Sequence, residues 1–342
     1  MKNLLALALA LALLETGICG WQEKPQSTQL PAQESSPLQI LVKWRGVLAR
    51  SIAFTHDAIW VTRCDPTECG ITRIDASSGK VVTTIRTSQS PYGIAADDAG
   101  VWASIPKENS VIRIDLATNV IVARIPTGKM PTDLAVGGGS IWVANANNKS
   151  VSRIDSKSNA VTGTITVGGF PGSIALGHDA VWVANGEGCW GCSYGTISRI
   201  DPATNKVVHT IKTWKYGTEV SPSYLLAQEG SLWAIAGQHV LRVDPESNKI
   251  VKWIRIPSRK LFALPENLGQ APLHGLAIIA DRLWVADSSE QSLWKIDIHN
   301  DSITPDPVRV GFPIQILGQG GDKEGSLWVS NAAEGSTSLV RP

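Results

Sequence analysis

A tryptophan that recurs at intervals of 40 to 51 residues is the feature that most constrains the fold of this chain. Between Ile141 and Val181 the sequence contains four short β-rich runs, separated by clusters of Asn, Gly, Asp and Ser. Four strands in a period of about forty residues are typical of one blade of a β-propeller. Seven of the thirteen tryptophans follow an apolar residue after a short turn: Trp60, Trp102, Trp142, Trp182, Trp233, Trp284 and Trp328. The sequence therefore predicts an all-β, seven-bladed β-propeller with four-stranded blades.

The connections inside the repeats have the composition of tight turns. Asn or Gly usually follows the aspartate of each turn after four residues, and both residues tolerate a positive φ. We therefore interpret these aspartates as turn residues, and we interpret His56-Asp57 and His178-Asp179 in the same way. The aspartates of the Arg-Ile-Asp sequences and their relatives are Asp75, Asp115, Asp155, Asp201, Asp244 and Asp297.

The two ends of the propeller sequence complement each other. The last repeat unit begins at Trp328, and the segment to Pro342 has room for its second and third strands but not for an outer one. The segment QILVKWRG at residues 39–46 resembles the outer strands that begin at Val207 and Ile250. We therefore expect the N-terminal strand to close the last blade, which removes the open sheet edges that favour aggregation.

The first residues have the pattern of an export signal. Lys2 precedes the apolar run Leu4–Leu14, and the small residues Gly17 and Gly20 follow as candidate cleavage positions. The apolar run is too short to span a bilayer. Cys19 stands where a bacterial lipoprotein carries its lipidated cysteine, so a lipid anchor is the alternative to a free exported protein. Residues 1–20 are thus predicted to be a signal peptide, and the mature protein is expected in the periplasm or outside the cell.

Composition separates the remaining chain into a tether and one domain. Residues 21–38 are rich in Gln, Ser, Pro and Glu and have too few apolar groups to form a core, whereas residues 39–342 carry the repeats. The formal net charge is +1 and no block of like charge occurs, which argues against nucleic acid as a partner. No segment after the export signal is apolar over the length of about eighteen residues that a membrane-spanning helix needs. We expect a monomer.

Four cysteines follow the signal: Cys64, Cys69, Cys189 and Cys192. Export favours disulfides, and three pairings are possible. The local pairs are preferred because the two links lie in the first and fourth blades, which stand far apart around the ring. A redox-active or zinc-binding role is disfavoured, because no thioredoxin-like context occurs and zinc ligands would have to come from distant blades.

Insertions and aromatic residues concentrate on one face of the predicted propeller. The long repeats owe their length to links that begin at Asn185, Lys212 and Pro257, around the fourth to sixth blades. Rings at such a rim commonly take part in recognition, although long loops also need small cores of their own. The aromatic residues in links on this face include Tyr92, Tyr194, Tyr216, Tyr224, Trp190, Trp214 and Phe262.

Two further classes of position should face the same channel mouth. The first class stands directly before the inner strands and varies from blade to blade, as expected of a binding site: Arg50, Tyr92, Thr132, Gly172, Tyr224, His274 and Ile314. The second class stands three residues after a repeat tryptophan: Asn145, Asn185, Asp287 and Asn331. The recurrence of Asn and Asp in the second class also suits turn formation.

The repeat V-x-R-I-D-x-x-(T/S)-N-x-V-x-x-T-I, followed by a turn and V-W-V-A-N, resembles the YVTN and virginiamycin B lyase-like propellers from about Gln39 to the C-terminus. The resemblance implies the seven-bladed fold. For the lyases it also implies a magnesium-dependent elimination that opens a cyclic depsipeptide, with a histidine and an acidic residue near the channel mouth. His274 and Glu266 are the candidates in this chain, whereas His239 is isolated in another link.

The preferred functional hypothesis is an exported, non-catalytic propeller that binds a small molecule, glycan or protein through the loop-bearing face over blades 4 to 6. The lyase is one alternative. A lactonase-like calcium propeller is another, with Asp287, Asn145 and Asn185 as candidate ligands. No P-loop or HExxH motif is present, which disfavours P-loop nucleotide chemistry and zinc-protease chemistry. We predict no cofactor for the binding module, and Mg²⁺ or Ca²⁺ only for the enzyme alternatives.

Overall fold

The computed structural model describes residues 39–45, 49–64, 68–186, 195–215, 218–219, 221–258, 273–310, 313–319, 327–331 and 336–341. These residues belong to one compact unit, Ser36–Pro342. The predicted signal peptide, the tether and Cys19 lie outside the described residues. No helix in the described segments has the length and apolar character needed to cross a membrane.

The strands form seven four-stranded sheets and one two-stranded sheet. Blade 1 contains β2 (Ser51–Phe54), β3 (Ala58–Cys64), β4 (Cys69–Asp75) and β5 (Val81–Arg86). Blade 2 contains β6 (Ile94–Asp97), β7 (Gly100–Ile105), β8 (Ser110–Ile114) and β9 (Ile121–Pro126). Blade 3 contains β10 (Pro131–Gly137), β11 (Ser140–Asn145), β12 (Ser150–Asp155) and β13 (Val161–Thr166). Blade 4 contains β14 (Phe170–Gly177), β15 (Ala180–Gly186), β16 (Thr196–Asp201) and β17 (Lys206–Lys212).

The remaining strands complete the ring. Blade 5 contains β20 (Pro222–Gln228), β21 (Ser231–Ala236), β22 (His239–Asp244) and β23 (Lys249–Arg255). Blade 6 contains β24 (Leu273–Ile279), β25 (Arg282–Asp287), β26 (Ser292–Asp297) and β27 (Val308–Arg309). A composite sheet contains β28 (Pro313–Gln319), β29 (Leu327–Asn331), β30 (Ser336–Arg341) and β1 (Gln39–Arg45). The short strands β18 (Trp214–Lys215) and β19 (Thr218–Glu219) pair in the link between blades 4 and 5.

This topology corrects the predicted count of seven blades. Six blades are continuous in the sequence, whereas the sheet that holds Trp328 is assembled from both ends of the chain. Its outer strand β1 runs antiparallel to β30, from Gln39 opposite Arg341 to Arg45 opposite Ser336. The prediction assigned one blade to each of the seven repeat tryptophans. The last repeat supplies only three of the four strands of its sheet, so six blades are continuous in the sequence. The structure therefore has six continuous blades and one composite sheet.

Each repeat tryptophan is packed between neighbouring sheets. Trp60 of blade 1, for example, is fully buried in the same apolar cluster as Val101 and Ile112 of blade 2. The inner strands follow one another around the ring, and β28 of the composite sheet returns to contact β2 of blade 1. The core is thus a series of layers between blades, which leaves the axis of the ring to the inner strands.

An arginine in the third strand joins each of blades 1 to 5 to the next blade. Arg153 stacks on Trp142, with its guanidinium carbon 4.9 Å from the ring centroid, and donates hydrogen bonds to Pro202 O at 2.7 Å and Asn205 Oδ1 at 2.9 Å. Asn205 therefore has two roles: its backbone adopts the positive φ of the turn, and its side chain accepts a hydrogen bond from the arginine of the preceding blade. The equivalent pairs are Arg73 with Asn119, Arg113 with Asn159, Arg199 with Asn248 and Arg242 with Asp301.

The turn interpretation of the repeated aspartates is confirmed. Asp75 accepts hydrogen bonds from Ser77 and Ser78, and these bonds lower the pKa of Asp75 to about 2. His178 and Asp179 both have a φ of 54°, and the Asp57 carboxylate pairs with the arginine of its own blade. The residues four positions after the repeated aspartates all have positive φ: Gly79, Asn119, Asn159, Asn205, Asn248 and Asp301.

Candidate functional site

A cavity of about 500 Å³ lies where the heads of the inner strands meet on the loop-bearing face. Its described walls come from blades 1 to 6 and mix apolar side chains such as Phe170 and Leu276 with polar ones. Cavities of roughly 300–1,000 Å³ with a few convergent polar groups are typical of small-molecule sites. Arg50, Tyr92, Gly172 and Tyr224, all from the first class of predicted positions, line it.

Arg50 places a positive charge at the cavity. It directly precedes β2, is exposed, and its guanidinium carbon lies 5.1 Å from the centroid of the Tyr92 ring. No carboxylate within the described ranges forms an ion pair with it. Cation–π stacking orients a guanidinium but leaves its hydrogen-bond donors available. The Arg50 side chain is therefore a preoriented donor group for an anion.

Asp133 supplies the only carboxylate among the described cavity walls. Oδ1 accepts a hydrogen bond from Leu134 N at 2.9 Å, and Oδ2 accepts from the Ser173 hydroxyl at 3.1 Å and from Ile174 N at 3.0 Å. Burial raises the pKa of Asp133, and the three hydrogen bonds offset part of that effect. The carboxylate is therefore an acceptor on the cavity wall, held between blades 3 and 4.

Asp133 is not among the predicted site residues, although its place one residue beyond the first class of positions carries a signal. The corresponding residues in the other repeats are uncharged: Ser51, Gly93, Ser173, Leu225, Gly275 and Gln315. A single acidic residue at a position that is otherwise uncharged departs from the repeat. Such departures are informative because a site in a pseudo-symmetric ring must break the symmetry.

Tyr224 and His274 extend the site across blades 5 and 6. Burial raises the pKa of Tyr224, and the nearby Tyr92 and Asp133 raise it further, while Arg50 opposes them. The phenol is therefore protonated at neutral pH. The His274 ring meets the Tyr224 ring edge-on at 6.2 Å, and burial lowers the pKa of His274 so that its imidazole is neutral. The described cavity wall includes the next residue, Gly275, rather than His274.

Hydrogen bonds between blades fix this rim. The Thr62 hydroxyl of blade 1 donates to Tyr92 O at 3.1 Å, and Leu225 N of blade 5 donates to the Ser173 hydroxyl oxygen of blade 4 at 3.3 Å. Thr132, which the repeats place at the mouth, is buried and donates to Pro171 O at 3.2 Å. These contacts hold the cavity groups in position without a ligand.

Three residues of the second class of predicted positions, Asn145, Asn185 and Asp287, are buried beside the links. Asn145 Nδ2 donates to Ser152 Oγ at 2.9 Å, and Asn185 Nδ2 makes the equivalent bond to Ser198. Asp287 Oδ2 accepts from Trp294 Nε1 at 3.2 Å, while Oδ1 accepts from the following loop. These side chains order their own blades. In the ranges described, no group of three His, Cys, Asp or Glu residues could hold a metal ion.

The remaining predicted residues lie partly beyond the description. Trp214 is 46% exposed, with the Lys212 ammonium nitrogen 5.7 Å from its ring centroid. Cys64 and Cys69 form a disulfide, which confirms this local pair. Asn331 and Ile314 lie on β29 and β28, and their side chains are outside the description. The predicted residues that lie wholly outside the described ranges are Trp190, Tyr194, Tyr216, Phe262, Glu266, Cys189 and Cys192.

The architecture defines the class of this protein as a β-propeller, and solved structures agree. Kuenenia stuttgartiensis hydrazine synthase superimposes with a TM-score of 0.68 at 14% identity, over 94% of this chain and 99% of that chain. The WD40 propeller domain of Doa1 superimposes with a TM-score of 0.65 at 9% identity, over 89% and 96% of the two chains. The computationally designed Ika8 protein gives 0.62 at 11%, over 86% and 83%.

These identities are low enough that the similarity concerns the fold alone. No protein-family model and no curated protein matches this chain. The resemblance to the YVTN and virginiamycin B lyase-like propellers therefore stays a prediction. The fold is consistent with a binding or scaffold role, and the particular function has to be argued from the cavity.

Proposed function

We propose that this protein is a non-catalytic β-propeller that binds a small molecule in the central cavity of its loop-bearing face. One observation carries the proposal: a guanidinium that stacks on an aromatic ring and a carboxylate line one cavity, and neither has an ion-pair partner among the residues that the structure describes. Polar groups that converge on a mixed cavity of this volume are typical of ligand sites.

The surroundings of the ionisable groups favour binding over catalysis. Asp133 already accepts three hydrogen bonds from protein groups, which reduces its capacity to take a proton from a substrate. His274 packs against Tyr224, and its own position is outside the cavity wall. A rim that is held by hydrogen bonds between blades also suits recognition, because a preorganised site loses little conformational entropy when it binds.

A larger partner is the second candidate for the same face. The exposed ring of Trp214 lies in the link between blades 4 and 5. Exposed aromatic rings near a cavity favour contact with a glycan or a protein. In this second proposal, one group of the partner binds in the cavity, and the link between blades 4 and 5 contributes additional contact area.

We also propose that the protein acts outside the cytoplasm. The apolar run after Lys2 has the pattern of an export signal, and the Cys64–Cys69 disulfide is compatible with an oxidising compartment. Expression with the N-terminal segment, followed by fractionation of cells and medium, tests this proposal. Retention of the whole product in the cytoplasm would contradict it.

A thermal-shift screen followed by calorimetry tests binding at the cavity. The mature protein is screened against small polar metabolites, glycans and peptides, because a ligand that binds only the folded state raises the unfolding temperature. Gly172→Trp is the blocking variant, since Gly172 lines the cavity and a Cβ there meets nothing within 4 Å. Val122→Trp is the matched control, because Val122 is 54% exposed on an outer strand.

The outcomes separate the candidates. Small-molecule binding that is abolished by Gly172→Trp and retained by Val122→Trp supports the proposal. Glycan or protein binding that is weakened by Trp214→Ala supports the larger partner. Binding that Gly172→Trp leaves unchanged contradicts the cavity as the site. A stabilisation by Mg²⁺ or Ca²⁺ that is lost in His274→Ala would instead favour a metal-dependent enzyme.

A further inference from the structure

We infer that the cavity ligand is a small zwitterion that carries a carboxylate and an ammonium group, the class of free amino acids and short unblocked peptides. The inference rests on the proposed binding function and deepens it. Its basis is that the described cavity wall contains one cationic and one anionic side chain, Arg50 and Asp133, and that neither has an ion-pair partner among the described residues.

Arg50 selects the carboxylate end of the ligand. A guanidinium presents donors in a planar fork that matches the two oxygens of a carboxylate. The Tyr92 ring covers one face of the guanidinium and restricts its rotation, so that the donor edge remains for a ligand. The arginines that form ion pairs in the described chain lie outside this cavity, such as Arg124 with Glu108 at 2.8 Å.

Asp133 selects the ammonium end. A carboxylate oxygen has two lone pairs, and Oδ2 uses both in bonds to blade 4, which accounts for its role in joining blades. Among the described residues, Oδ1 accepts only from the adjacent Leu134 N, which leaves one of its lone pairs for a ligand. A carboxylate that is partly removed from water and forms no ion pair with a described residue is costly, and a ligand ammonium group would supply the missing charge.

Gly93 lets blade 2 approach the backbone of blade 3 closely beside Asp133. A Cβ at position 93 would lie 2.7 Å from Thr132 O and 3.4 Å from Oδ1 of Asp133, so any side chain there would collide with the backbone of Thr132. Gly93 directly follows Tyr92, whose ring carries the Arg50 guanidinium, so the two charged groups are linked through one short segment of blade 2.

The remaining wall suits the body of such a ligand. Tyr92, Phe170, Tyr224 and Leu225 provide aromatic and apolar surface between the charged groups. Because burial raises the pKa of Tyr224, its phenol stays protonated and can donate a hydrogen bond to a ligand oxygen. The volume of about 500 Å³ accommodates an amino acid or a dipeptide.

Calorimetry with matched ligands tests the inference. The twenty standard amino acids and a set of unblocked dipeptides are screened singly against the mature protein, and the tightest ligand is compared with its N-acetyl and C-amide derivatives. We expect each derivative to bind at least roughly tenfold more weakly, because each loses one charge-assisted contact. Arg50→Gln should weaken the parent and the N-acetyl derivative, and Asp133→Asn should weaken the parent and the C-amide derivative.

Two variants keep the test independent of folding. Arg50 is exposed, and no hydrogen bond of its side chain is seen in the described part of the chain, so Arg50→Gln should unfold at the same temperature as the unmodified protein. Asn at position 133 can still accept from Leu134 N but then places its amide hydrogens against Ile174 N, so the unfolding temperature of Asp133→Asn is measured beside its affinity and the Arg50→Gln result stands without it. Gly172→Trp shows whether any binding occurs in the cavity.

The results also distinguish this inference from the proposed function. If other small molecules bind and Gly172→Trp abolishes their binding, while no amino acid or dipeptide binds, the zwitterion is refuted and the binding function stands. Equal affinity for the parent and both derivatives would also overturn the inference. If no compound binds in the cavity, both proposals fail.

Discussion

Replacing Arg153 with alanine should destabilise the propeller by about 3 kcal/mol, because one guanidinium joins two blades. It donates to Ser140 Oγ at 2.9 Å within blade 3, and to Pro202 O and Asn205 Oδ1 in blade 4. Each hydrogen bond contributes about 1 kcal/mol net, and the stacking on Trp142 adds about 0.5–1 kcal/mol. In the variant, water forms hydrogen bonds with the Pro202 and Asn205 oxygens, and these bonds offset part of the total loss of stability.

Urea unfolding followed by circular dichroism measures this loss. Arg153→Lys should cost less than alanine, because the ammonium group can still stack on Trp142 but lacks the planar fork. Arg124→Ala is the matched control, since Arg124 forms an exposed ion pair with Glu108 at 2.8 Å. Exposed pairs contribute about 0.2–1 kcal/mol, so the control should change stability little.

A double-mutant cycle isolates the contact between blades. Asn205 has a φ of 56°, so Asn205→Gly removes the acceptor while it keeps the backbone conformation. The coupling energy between Arg153→Ala and Asn205→Gly should be about 1 kcal/mol, the net value of one hydrogen bond. An alanine variant no less stable than the Arg124→Ala control, or a coupling energy near zero, would refute the role of Arg153 in joining blades.

Three other expectations can be checked by unfolding experiments. Burial raises the pKa of Asp133 in the folded state above its ordinary value of 3.8. Between the pKa of the unfolded chain and the higher pKa of the folded state, the folded protein therefore binds more protons. Stability should therefore fall as the pH rises through that window, and the fall should be absent in Asp133→Asn. Asp179 has a φ of 54°, so Asp179→Gly should be neutral or stabilising, and Asp179→Val should cost about 1–2 kcal/mol in urea unfolding. Replacing Cys64 and Cys69 with serine should cost about 2 kcal/mol, because the disulfide closes a short loop, and a reductant should lower the stability of the unmodified protein equally.

The residues of the site show where sequence reasoning reaches its limit. Arg50, Tyr92 and Tyr224 were placed at the mouth from their position before the inner strands, and all three line the cavity. Asp133 was missed, because its importance comes from a contact with Ser173 in the next blade. Asn145 was expected near the mouth but is buried, since the serines of the adjacent strand satisfy its amide.

The sequence by itself determined the repeating unit, its strands and its turns. These features depend on local physics: an aspartate that accepts bonds from its own turn, a residue that tolerates positive φ, and alternating apolar side chains. The tertiary structure alone decided that Asp133 meets Ser173 of the next blade, which arginine reaches a neighbouring blade, and in which register β1 pairs with β30 in the composite sheet beside six continuous blades. The physical reason is that these contacts join residues far apart in the chain, so no local pattern of residues encodes them.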